Sequence, residues 1–174
     1  MTPTELHRPV RVSHIGPDGM AVLVEADAAE RTALAERLRL PAVLALHCHY
    51  QLARDDRATV TTTGRLTATV VQTCVVSLED FESSLAEDFA VHFVPEGTES
   101  DDPDPESADE IPYAGDTIDL GEATAEQLAL ALDPYPRRPG AVLPEEAGDQ
   151  VDPRLADLAG WRAANDDADG NGTA

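Results

Sequence analysis

The chain has 174 residues and a formal charge of -22 at a pI near 4.2, with 34 carboxylates set against 12 basic residues that are all arginine. That length supports one domain with a real core and is short for two. The charge excludes unaided, sequence-neutral gripping of nucleic acid, which needs a basic face to neutralise phosphates, and it favours basic partners; it also serves solubility or a salty cytoplasm.

In chain order, RPVRVSHI alternates weakly, GPDG signals a turn and MAVLVEA reads as a second strand, so a β-hairpin is expected to open the domain. The N-terminus has no signal-peptide core, and no stretch nears the roughly 18 apolar residues of a membrane span, so a cytoplasmic protein is expected. Asp27 with Glu30 three residues later forms a capping signal, and Ala33, Leu34, the Arg37 stem and Leu38 make an apolar stripe, which predicts a helix over 28–39. From Pro41 to Asp55 the period becomes two, with Ala42, Leu44, Leu46, Cys48, Tyr50 and Leu52 on one side and His47, His49 and Gln51 on the other. Between Arg57 and Leu78 the even positions Ala58, Val60, Leu66, Ala68, Val70, Cys74, Val76 and Leu78 are apolar, while the odd ones are mainly Arg and Thr. That is a half-buried antiparallel pair, expected to break near Gly64. A further strand turns Leu85, Phe89, Val91 and Phe93 inward and ends at Pro95.

Composition then shifts. EGTESDDPDPESADE has eight acids in fifteen residues and no large apolar side chain, so an acidic, weakly ordered loop is expected, extending over 96–117. A second helix follows over 119–132, opened by Asp119 or Gly121 and stopped by DPYP, with Leu120, Ala123, Leu128, Ala131 and Leu132 on one side. Residues 141–174 read as a partly disordered tail with a short helical segment around Trp161. Strands, helix, strands, helix is an α+β order: a single domain, mainly antiparallel sheet and open to partial barrel closure, with two helices.

Candidate chemistry is sparse. In a strand, His47 and His49 of HCHY point away from Cys48, so the three do not converge on one metal ion. Cys48 and Cys74 share an inner face, where a buried reduced pair is favoured over a disulfide. Cys74 has no activating histidine motif, and on an apolar strand face its thiol pKa is expected to rise. Among 34 acids any carboxylate pair is coincidence, and no phosphate-loop, dinucleotide, zinc-protease or nucleophile-elbow motif occurs. No cofactor, metal or catalytic residue is assigned, and the protein is expected not to be an enzyme. DPYPRRPGA stands apart: Arg137 and Arg138 are the only adjacent basic pair, in a proline-stiffened segment with Tyr135. They are either a contact element for RNA phosphate or an acidic partner, or counter-ions for the acidic body.

The succession VVQTCVVSLEDF, FAVHFVP, an acidic linker and IDLGEATAEQLALALDPYPRRPGA resembles the YceD family of large ribosomal RNA subunit accumulation proteins, in a wording similar to its alphaproteobacterial members. The resemblance runs from about Arg8 to Gly140 and implies a YceD-like domain over 1–140 followed by the tail. Its motif positions here are Gln72, Cys74, Leu78, Asp119, Leu120, Glu126, Leu128, Leu130, Pro134, Pro136 and Gly140. Many relatives carry a CxxC at Val71 to Cys74, suited to a zinc half-site or thiol pair; here only Cys74 remains. The resemblance implies a bacterial, cytoplasmic, non-enzymatic factor for 23S rRNA accumulation or processing, with rRNA or its precursor as a direct or indirect partner and a small basic ribosomal protein as another. The alternative reading is a generic acidic protein-binding adaptor unrelated to the ribosome.

Overall fold

A computed structural model describes residues 5–99 and 108–142. Within the unit Met1–Pro139 the elements are β1 (Pro9–Arg11), a single 3-10 turn (Val12–His14), β2 (Met20–Glu25), α1 (Ala28–Leu38), β3 (Ala42–Arg54), β4 (Val60–Thr73), β5 (Asp80–Pro95), β6 (Asp109–Tyr113), β7 (Thr117–Asp119) and α2 (Leu120–Ala131). The α+β assignment holds. Five strands form one sheet in the order β2-β3-β4-β5-β6, antiparallel except where β6 runs parallel to β5. The sheet is not closed: β2 and β6 are its two edges, and partial barrel closure does not occur.

The expected opening hairpin is replaced by a longer-range pairing. β1 pairs antiparallel with β7, with Pro9 opposite Asp119, and β2 pairs instead with β3. Part of the expected acidic loop 96–117 is also ordered. Ile111 and Tyr113 give Asp109–Tyr113 enough apolar surface to join β5 as an edge strand, the Tyr113 hydroxyl donating to the Ala58 carbonyl at 2.7 Å. The middle of that stretch, and the tail segment around Trp161, lie outside the described residues.

Both helices start as their capping chemistry dictates. The Asp27 carboxylate accepts from the N–H groups of Ala29 and Glu30 while Glu30 reaches back to Asp27 N–H, a capping box. Asp119 caps α2 through the N–H groups of Gly121 and Glu122. Leu34 of α1 and Leu120, Ala123 and Leu128 of α2 are buried in one core with Leu46, Cys48, Tyr50, Leu66 and Val70 of the sheet. Among the described residues no helix is long and apolar enough to cross a membrane.

Three departures from the expected pattern have local causes. A bulge between Val43 and Ala45 shifts the phase of β3, so Val43 is buried and Leu44, expected inside, is exposed. Gly64 does not interrupt β4. It lies in a row between Tyr50 of β3 and Phe89 of β5, and a Cβ there would come within 2.3 Å of the Phe89 ring. The missing side chain lets the Tyr50 and Phe89 rings meet edge to face, centroids 5.7 Å apart. At the end of β4 the strand stops at Thr73, so Leu78 is not an inward strand residue; it sits in a turn and is 77% exposed.

Candidate functional site

The turn that joins β4 to β5 and the segment after α2 are locked together. Thr73 and Asp80 form the last cross-strand pair, leaving residues 74–79 as the turn, closed by Cys74 N–H to the Glu79 carbonyl and Leu78 N–H to the Cys74 carbonyl, both 2.9 Å. Residues 133–138 run past it as a strap. Val75 N–H donates to the Pro136 carbonyl at 2.9 Å, and the buried Gln72 side chain donates from Nε2 to the Asp133 carbonyl at 3.3 Å. The Asp133 carboxylate accepts from Tyr135 N–H at 2.8 Å. The prolines at 134 and 136 fix φ on either side of Tyr135.

Cys74 joins the two pieces. Its Sγ accepts from Ser77 N–H and from Arg138 N–H, each 3.4 Å away. Hydrogen bonding from the Ser77 hydroxyl and from the backbone N–H groups of Ser77, Arg138 and Val76 draws the thiol down to about 6, against a weaker desolvation that pushes it up. The apolar strand face expected around this sulfur would have pushed it the other way. No solvent reaches the side chain, yet it sits at shallow depth under the strap, and N–H donors dominate its surroundings. Cys48, by contrast, is inside the core, where burial pushes its thiol up to about 11. Both cysteines are free thiols. The residue that faces Cys74 is Ser77, three positions after it; Val71 is a β4 residue paired with Ala42 and Glu82.

The adjacent arginines have separate fates. Arg138 is an internal counter-ion, with its guanidinium 2.9 Å from Glu79. Arg137 is exposed and makes no ion pair among the described residues. Tyr135 is 72% exposed, and the turn adds Val75 at 45% and Leu78 at 77%. Sequence patterning missed Val75, Ser77 and Glu79 as parts of this site; the signal was present in the adjacent Val75 and Val76, which break the alternation of β4.

Other singled-out residues serve the scaffold. Asp119 is stapled to the N-terminal segment as well as to α2: it accepts from Arg8 N–H at 2.8 Å and lies 2.5 Å from His7 Nδ1. Burial pushes its carboxyl up, but the N–H groups of Arg8 and Gly121 with His7 outweigh that and hold it below the usual range. Gly121 faces the Leu6 carbonyl so closely that a Cβ would be 2.4 Å from the oxygen. Glu122 pairs with Arg37 at 2.7 Å, so each polar or small position of DLGE ties the N-terminal half of the chain to α2. Burial, aided by nearby Glu122, raises Glu126 above the ordinary carboxylate range. Leu120 and Leu128 are core, whereas Leu130 is 73% exposed. His47 and His49 lie on the outer face and Cys48 on the inner one; among the described residues no three metal-ligating side chains converge.

Neither the curated proteins nor the solved structures give a match to this chain. One protein-family model does, Large ribosomal RNA subunit accumulation protein YceD, over residues 62–160, a span that takes in most of β4, the Cys74 turn, α2 and the strap. More than half of the chain is matched, and it belongs to the YceD family of large ribosomal RNA subunit accumulation proteins, which places it in ribosome biogenesis.

Proposed function

We propose that the chain is a non-enzymatic, cytoplasmic factor that supports accumulation of the large-subunit 23S rRNA by binding a component of the assembling particle. The family match carries this reading. The architecture supports it: the strap and turn present Tyr135 and Arg137 on a stiff frame, while the charge of -22 supplies long-range attraction to basic components of a particle whose RNA it would repel. Contact with RNA is then indirect, through protein, or restricted to the few arginines around the strap.

Deletion of the gene should lower large-subunit rRNA relative to small-subunit rRNA. A pulldown with and without nuclease should recover a basic ribosomal protein or large-subunit precursor RNA. An unchanged rRNA ratio together with recovery of neither component would overturn the reading.

A further inference from the structure

We propose that the turn 74–79 and the strap 133–138 form one docking surface for a basic protein segment, which inserts apolar side chains against Val75, Leu78 and Tyr135. The source, a ribosomal protein, rests on the proposed role in ribosome biogenesis; the surface and its chemistry rest on the geometry.

Leu78 is the first observation. Its φ is +60°, the left-handed region that glycine or asparagine occupies at far less cost, and its side chain is 77% exposed. Conformation and burial therefore both disfavour leucine in the isolated fold, and such outliers collect at functional contacts. Stiffness is the second. Exposed Tyr135 lies between two prolines, and the strap is bonded to the turn through Val75 N–H and the Pro136 carbonyl, Arg138 N–H and Cys74 Sγ, and Gln72 and the Asp133 carbonyl. A surface already held in place loses little entropy when a partner docks.

Composition chooses the partner. Tyrosine and arginine are enriched in the cores of protein interfaces, and Val75 and Leu78, which flank the one exposed ring of Tyr135, offer no further ring on which successive bases could stack. Asp80, Glu82 and Asp133 stand in or next to these segments in the chain, with Glu79 already paired to Arg138, and the whole chain carries a charge of -22, which favours a basic partner, repels RNA and opposes pairing of two copies.

The test uses the full chain, immobilised, against two probes: RNA-free total protein from large ribosomal subunits, and naked large-subunit rRNA. Wild type should retain one or a few basic ribosomal proteins. Leu78→Ser and Tyr135→Ser should each weaken that retention at least tenfold with an unchanged thermal midpoint, and Leu23→Ser, an exposed apolar site on β2, should leave it intact. Retention indifferent to Leu78 and Tyr135, no retention of any ribosomal protein, or binding of the rRNA alone would each overturn the proposal. So would a dimer by light scattering that Leu78→Ser dissociates, or a Trp161 emission shift in Leu78→Ser without loss of retention, which would make a second copy or the chain's own C-terminal residues the occupant. If deletion lowers large-subunit rRNA and Leu78→Ser with Tyr135→Ser restores it fully, the surface is wrong while the ribosomal reading stands. If deletion changes nothing, the ribosomal reading fails and the direct binding decides the surface.

Discussion

Phe89 lies over Gly64, its direct partner across β4 and β5, and a methyl group on Gly64 would sit 2.3 Å from the ring. Gly64→Ala should therefore push Phe89 off Tyr50 and cost about 1–3 kcal/mol in urea unfolding. In a Phe89→Leu background the same substitution should cost clearly less, because the clashing ring is gone. Equal costs in both backgrounds would show that the ring is not what Gly64 accommodates.

Gly121 presents a harder constraint, since the atom its Cβ would meet is the Leu6 backbone carbonyl at 2.4 Å and no rotamer change relieves it. Gly121→Ala should cost about 2 kcal/mol or more and detach the segment before β1. Limited proteolysis should then cut near residues 5–8 at least tenfold faster than in wild type; an unchanged digestion pattern would contradict the close approach.

Cys74 should titrate near 6 rather than near its ordinary 9, through the Ser77, Arg138 and Val76 donors. A folded-state value below the unfolded one means that the stabilisation is fully present above about 9 and fades as pH falls to about 6. Wild type should thus gain stability between pH 6 and 9 relative to Cys74→Ala, and thiolate absorbance near 240 nm should appear with a midpoint near 6. A midpoint near 9 would refute the donor geometry.

The hydroxyl of Tyr50 lies 2.9 Å from Thr124 Oγ1 and 3.3 Å from the Leu120 carbonyl, all of them buried. Tyr50→Phe should cost about 1–2 kcal/mol by leaving polar groups in α2 with fewer partners. Arg138→Gln breaks a half-exposed pair with Glu79 and should cost about 0.5 kcal/mol, whereas Arg137→Gln should leave stability unchanged. Chemical denaturation of the three variants side by side separates these roles.

The sequence displays local order well. Alternation along β3 to β5, the Asp27 and Glu30 cap and the apolar face of α2 are each set by residues a few positions apart, so periodicity reveals them. What escapes is non-local or one residue out of phase. β1 finds its partner in β7, more than a hundred positions away; the Val43/Ala45 bulge inverts the face of Leu44; and the short, acid-flanked β6 gains its stability from β5. The site was half visible. Tyr135, Arg137 and Arg138 stand out as a motif, but that Arg138 is committed to Glu79 and Cys74 depends on a turn some 60 residues upstream, which pattern alone does not bring near.

β6 accompanies β5 only along Val91–Pro95, so among the described residues the stretch from Asp80 to Ala90 borders no strand on that side. Such a margin invites a second copy to zip onto it and seed fibrils. Glu87 stands in the inward row of β5, opposite Leu66, where a stacked copy would have to take its carboxylate out of water. A charge placed in that row works against edge-to-edge pairing of copies, so the sheet can end there without being capped.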